Sequence, residues 1–239
     1  HSQRERVYLA WEDITRTDTP PLVLLEAALR ESGRAGGFAD AITINSRCTD
    51  ISKRRVAEVF DGVFGYPLGV DPLSYTGKAV VKSDQNAAHD GQVIDCPIEK
   101  TDLQSGKVYN LLVGNVDADG FATDYRVMIA GGVLPVLSEK KRREERRFQV
   151  ENDSVQLRWT ADVLVASEIR AIDQFCARIG LEYGELDCLR DSDSGRLYIV
   201  DVAKTPAGPP TVLPRRQKLI LLEELSVAFA KRCLLGHSP

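Results

Sequence analysis

Short apolar runs separated by polar turns fill most of the chain, and a few longer stretches carry helical spacing. Residues 7–10 and 41–45 read as buried strands. Between them, 20–31 reads as an amphipathic helix: Thr19 caps it, Pro20 and Pro21 suit its first turn, and Gly33 ends it. Asp50 caps a second helix reaching about Gly62, with Val56, Val59, Phe60 and Val63 on one face. The stretch 66–75, with Pro67, Gly69 and Pro72, is a linker. Runs at 79–82, 92–97 and 107–113 predict strands, with the polar stretch 83–91 between the first two. Runs at 125–130 and 133–137 flank Gly131-Gly132, a two-residue hairpin turn. Residues 140–147 are a charge run read as a solvated face with one or two arginines turned into a cleft. A helix is predicted over 161–179, a hairpin over 182–191 and 196–203, a Pro-rich loop over 206–214 and a last helix over 217–233. No internal repeat appears, and the pattern is α+β.

Composition narrows the function classes. The 239 residues are 43% hydrophobic, enough for a sizeable core and too many for disorder. Lys and Arg number 31 against 35 Asp and Glu, a net charge of −4 that disfavours a general nucleic-acid binder. The basic run 140–147 is interrupted by Glu144 and Glu145 and lacks interleaved aromatics, so no nucleic-acid partner is expected. No apolar run approaches the roughly 18–20 residues of a membrane span. Arg4, Glu5 and Arg6 stand without an apolar core behind them, so no secretory signal is read, and a start at His1 reads as a trimmed fragment. Cysteines 48, 96, 176, 188 and 233 are odd in number and irregular in spacing, which fits free thiols in a reducing cytoplasm. Beyond His1, only His89 and His237 are available, neither at ligand spacing for zinc, and no nucleophile elbow is present.

The segment 184–203 carries the most chemistry. A three-residue loop, Asp193-Ser194-Gly195, pairs Ser192 with Arg196. Counting back, Leu189 faces Ile199, Asp187 faces Asp201, and Glu185 faces Ala203, all on one side. Leu186, Cys188, Tyr198, Val200 and Val202 face the other way. Facing carboxylates repel unless one is protonated, both are solvated, or a cation sits between them. Mg²⁺ or Mn²⁺ suits such oxygen donors and shares its coordination with phosphate. An incidental, solvated acid pair is the plainer alternative. A four-residue loop would put the two aspartates on opposite faces.

Several separated pieces, in order, resemble the ATP-grasp superfamily over roughly residues 50–215. Thr49-Asp-Ile-Ser-Lys53, heading a helix that ends in Gly65-Tyr66-Pro67, is similar to the family's lysine-bearing helix. Gly77-Lys-Ala-Val-Val-Lys82 resembles its lid strand, and 83–91 its phosphate-covering loop. Val108-Tyr-Asn-Leu-Leu-Val113 resembles the hinge strand. Asp124-Tyr-Arg-Val127, Gly131-Gly132 and the basic run resemble a strand pair that turns cations toward substrate. Leu186-Asp187 and Asp201-Val-Ala203 resemble the metal-binding strands.

The resemblance implies two α/β lobes clamping a nucleotide, the N-terminal lobe shortened: 1–71 an N-terminal lobe, 72–113 a lid subdomain, 114–239 a C-terminal subdomain. It implies ATP with Mg²⁺ or Mn²⁺ as cofactors. Lys53, Lys82, Ser83 and His89 would meet phosphate, and Asn110, Leu111, Leu112 and Val113 adenine. Arg126, Lys140, Arg142 and Arg147 would serve catalysis, and Asp187, Asp201 and Glu185 the metal. The implied activity joins a carboxylate to an amine through an acyl phosphate. Phosphorylation of a hydroxyl acceptor is the alternative. Ala203 departs from the family's Asn and removes one metal ligand, which opens a third reading, a nucleotide-binding module with impaired catalysis.

Overall fold

The structure, a computed structural model, describes residues 7–9, 15–16, 42–206 and 208–234. The expected helix over 20–31 lies outside them. Strands β1 (Val7–Leu9) and β2 (Ile42–Ile44) pair in parallel. Helix α1 (Lys53–Phe64) follows. Strands β3 (Gly77–Ser83), β4 (Gln92–Cys96) and β5 (Lys107–Leu111) form an antiparallel sheet in the order β4-β3-β5. The larger antiparallel sheet has the order β10-β9-β6-β7-β8. Its strands are β6 (Phe121–Ala130), β7 (Val133–Arg143), β8 (Ser154–Trp159), β9 (Tyr183–Arg190) and β10 (Leu197–Ala203). Helices α2 (Ala166–Ile179) and α3 (Arg215–Ala228) complete the described elements longer than one turn, apart from a π-helical turn after α3.

The large sheet separates two apolar clusters. Val127, Ile129, Leu186, Cys188, Ile199 and Val202 pack on one face with Phe60 of α1 and Phe175 of α2. On the other face Met128, Ala130, Leu134 and Val136 meet Leu221 of α3 and Ile44. That second face changes character along each strand. Following β6 backwards by twos from Ala130 and Met128 gives Arg126 and Asp124, and β7 runs from Leu134 and Val136 to Ser138, Lys140 and Arg142. Helix α3 covers the apolar half, and the polar half lines an open cleft.

Several expectations shift by a residue or a turn. Ser52, not Asp50, caps α1, its Oγ accepting from Arg55 N at 3.3 Å; Asp50 Oδ1 instead accepts from Ser52 N at 2.9 Å. The single helix expected over 161–179 is broken. A turn, Thr160–Val163, precedes α2, because Leu164 turns extended and becomes buried. Strand β8 was not expected, although Val155, Leu157 and Trp159 alternate along it. The basic run is solvated only in part: Arg143, Glu144 and Glu145 are exposed, while Arg142 and Arg147 turn into the cleft as expected and Lys140 joins them there. Residues 140–143 continue β7, so Lys140 and Arg142 are buried while Arg143 is exposed. Cys48, Cys96, Cys176 and Cys188 are free and buried; the Cys233 side chain lies outside the description. No helix among the described residues is long and apolar enough to cross a membrane.

The 184–203 hairpin departs most instructively. Leu197 pairs with Arg190, Gly195 N donates to Asp191 O, and the loop is one residue longer than expected. Leu189 therefore faces Tyr198, not Ile199. A bulge at Val200 then takes up the extra residue, and Asp201 faces Asp187, with Ala203 facing Glu185. Val200 consequently lines the cleft instead of facing away from it. Gly184 fixes how closely β9 and β10 approach: a Cβ there would stand 2.4 Å from Ala203 O. Gly184→Ala is expected to cost about 1–3 kcal/mol by overpacking, read as a lower denaturant midpoint at unchanged slope.

Candidate functional site

A cleft of about 740 Å³ opens between the three-stranded and the five-stranded sheets. Asp187 and Asp201 stand on its β9/β10 side. From β6 and β7 come Arg126, Lys140 and Arg142; from β3, Lys82 and Ser83; from α1, Lys53; from β5 and the chain after it, Asn110, Leu111 and Val113. The loop after β3 contributes His89, whose backbone φ is +48°. Leu112 does not line the cleft, and Glu185 lies buried behind Asp187. The N–H groups of Leu111 and Leu112 are spent on Leu68 O (3.0 Å) and Lys78 O (3.2 Å).

Charge pairs organise the site. Arg126 grips Asp187 with two hydrogen bonds, Nε to Oδ1 at 3.0 Å and Nη2 to Oδ2 at 3.2 Å, and its Nη1 lies 3.2 Å from Glu185 Oε2. Lys140 Nζ adds a third donor to Asp187 Oδ1 at 2.8 Å. Burial alone would raise the Asp187 carboxyl, but Lys140 and Arg126 together hold it well below the usual carboxylate range. Asp187 in turn raises the Arg126 guanidinium further. Burial pushes Glu185 up, against the pull of Arg126.

On the facing strand, Asp201 Oδ1 accepts from Lys53 Nζ and from Val202 N at 2.8 Å. Lys53 also donates to Asn86 Oδ1 at 3.1 Å. Lys82 Nζ donates to Val200 O, the bulge carbonyl, at 3.0 Å. Burial lowers the Lys82 ammonium from its ordinary 10.5 to about 8, against the attraction of Asp201. Lys53, Arg54 and Arg55 place three cations in the first turn of α1, opposing the helix dipole. Asp84 offsets this, its carbonyl and carboxylate accepting from Lys53 N (3.1 Å) and Arg54 N (2.9 Å). A local rule is broken where Lys53 enters the cleft.

Arg142 and Arg147 are built into the wall. Arg142 donates to Asp124 Oδ2 (2.8 Å), Arg147 O (3.2 Å) and Gln149 O (2.7 Å). Arg147 donates to Asn115 Oδ1 (2.7 Å) and Val113 O (3.2 Å). Burial raises the Asp124 carboxyl and lowers the Arg147 guanidinium. Sequence reasoning missed Asp124 and Asn115 as anchors, though Asp124 stands two residues before Arg126. It also missed Phe148 and Gln149, which line the cleft; a Cβ on Gly91, just before β4, would sit 2.7 Å from the Phe148 ring. A second hollow of about 580 Å³, around Arg16, Asp50 and Asp84, is lined largely by acids and bases paired with each other.

The donor set does not fit a resident divalent cation. Asp187 is taken by Arg126 and Lys140, Glu185 by Arg126, and Asp201 Oδ1 by Lys53. Ala203 offers no oxygen, and no three Asp, Glu, His or Cys side chains among the described residues are grouped to hold a metal.

The backbone is similar to that of the ATP-grasp ligase PsnB complexed with minimal precursor, with a TM-score of 0.55, 15% identity, and coverage of 87% of this chain and 70% of that one. It is also similar to D-alanine–D-alanine ligase from Bacillus anthracis complexed with ATP, with a TM-score of 0.53, 12% identity, and coverage of 89% and 74%. No protein-family model and no curated protein sequence matches the chain. At these identities the likeness is one of fold.

Proposed function

Starting from a chain that has the ATP-grasp fold, we propose that it binds ATP in the cleft and transfers the γ-phosphoryl group to a small-molecule carboxylate. The supporting observation is convergence: Lys53, Arg126 and Lys140 arrive from three elements at a pair of facing aspartates, and Lys82, from a fourth, at the carbonyl of Val200 beside Asp201. Four cations aimed at one space suit a triphosphate and the charge that develops as its terminal group moves.

In the proposed reaction a carboxylate oxygen forms a bond to the γ-phosphorus while the bond to the bridging oxygen breaks, and ADP leaves. An amine nitrogen then attacks the acyl carbon, the bond to phosphate breaks, and the nitrogen loses its proton as the amide forms. The chain's own residues bind, orient and exclude water. The three-stranded sheet is the lid of this reading, and the cytoplasm its setting. Hydroxylamine trapping tests the proposal. ATP, a carboxylate panel and hydroxylamine are expected to give hydroxamate with matching ADP release. A stable phosphoester instead would identify a kinase.

Ala203 favours a second reading, binding without turnover. Ala203→Asn separates the two: if it creates ATPase activity that the native chain lacks, the native site binds only.

Affinity for ATP is expected to be flat below pH 8 and to fall above it, because free Lys82 loses its proton near 8 and phosphate favours the charged form. Asp201, Asp187, Asp90 and Lys53 are the charges that act on this ammonium. Calorimetric titration with ATP between pH 6.5 and 9.5 reads this; affinity that rises above pH 8 contradicts it.

A further inference from the structure

The cleft holds more cationic groups than its aspartates need, and they occupy the positions a divalent cation would take. Lys140 and Lys53 are ammonium groups with side chains 4% and 7% exposed, each seated on one of the facing aspartates. Arg126 closes both oxygens of Asp187 and reaches Glu185. For Mg²⁺ to reach Asp187 it would have to displace a two-pronged guanidinium and an ammonium at 2.8 Å. Both would remain nearby, and the ammonium would be left buried without its carboxylate. Mg²⁺ also asks for near-octahedral oxygen ligation. The facing strands offer two partly spent carboxylates, and Ala203 stands opposite Glu185 without an oxygen to add.

We propose that this chain binds nucleotide without a divalent cation, Lys53, Lys82, Arg126 and Lys140 together neutralising the phosphates directly. The proposal rests on the nucleotide reading given above and concerns the binding step that both of its versions share. Four cations against three carboxylates, Asp187, Asp201 and Glu185, leave the cluster a positive surplus for an anion. A bare triphosphate carries more negative charge than its magnesium complex and complements that surplus better. A divalent ion beside it would be repelled by the ammonium and guanidinium groups already in place. Lysine and arginine side chains thus take over the electrostatic role of the metal, fixed in advance by strands β3, β6 and β7 and by α1.

The test uses the native chain and a non-hydrolysable ATP analogue, titrated calorimetrically in EDTA and again in excess Mg²⁺. Affinity in EDTA is expected to equal or exceed that in Mg²⁺. A loss of about tenfold or more in EDTA overturns the proposal and leaves the nucleotide reading standing. Absence of binding in both buffers overturns the nucleotide reading and the proposal with it. As a second readout, the spin signal of Mn²⁺ mixed with the analogue is expected to move toward that of free Mn²⁺ when the chain is added, because nucleotide taken by the chain is withdrawn from the metal. Stoichiometric Mn²⁺ uptake by the complex overturns the proposal.

Discussion

Asp187→Asn is expected to destabilise the ligand-free fold by about 3–5 kcal/mol, the cost of removing one partner from a buried ion cluster. For a chain of this length the melting temperature should drop by about 6–20 °C. Asp187 accepts three charge-assisted hydrogen bonds, two from Arg126 and one from Lys140. Without its charge, a guanidinium and an ammonium would stand in one wall of the cleft, the guanidinium keeping the buried Glu185 as its ion-pair partner and the ammonium losing its own. Thermal and urea unfolding measure the cost. Adding Lys140→Met to Asp187→Asn should recover part of it, because the two changes act on one contact.

The sign of the acid dependence follows from the same cluster. The folded carboxyl of Asp187 is held below the roughly 3.9 of an unfolded aspartate. Its stabilisation is therefore complete above that value and is lost only as pH falls through the lower, folded one. A change within about 0.5 kcal/mol for Asp187→Asn would mean that the cluster contributes nothing net and that Asp187 awaits another partner.

What the chain's pattern revealed, and what it hid, follows from the range of the forces involved. Strands β3, β6 and β9 are readable because apolar alternation and turn residues are local signals. The facing of Asp187 and Asp201 was read correctly through two errors that cancel. The loop is a residue longer than counted, and the bulge at Val200 restores the register. A bulge leaves little mark in sequence; here it is set by pairing with β9, and it has a use, since its carbonyl receives Lys82. The turn of the basic run into the cleft was expected, but the full burial of Lys140 and Arg142 was not. Lys140 and Arg142 sit inside because Asp187 and Asp124, distant in sequence, are there to receive them. No window of local sequence contains that information.

Lys82→Met should separate stability from function, and in opposite directions. Lowering the ammonium from 10.5 to about 8 corresponds to roughly 3 kcal/mol by which the folded chain disfavours its charged form at neutral pH. Methionine is of similar length, carries no charge and suits an irregular apolar gap. Its cost is the hydrogen bond to Val200 O, on the order of 1–2 kcal/mol. The ligand-free variant is therefore expected to gain about 1 kcal/mol. The folded pKa lies below the unfolded one, so this gain should be full below pH 8 and shrink as pH climbs toward 10.5.

Function moves the other way. On the proposed reading, a half-buried cation disfavoured by its own fold is held for the phosphates, and removing one such preorganised group costs about 10²–10³ in turnover. Stabilisation by ATP against heat should likewise be largely lost. If the variant melted lower than the native chain and kept its full ATP-induced shift, Lys82 would be a support of the lid strand and not a phosphate ligand. A higher melting point joined to a lost shift identifies a residue whose charge the fold bears for the sake of the nucleotide.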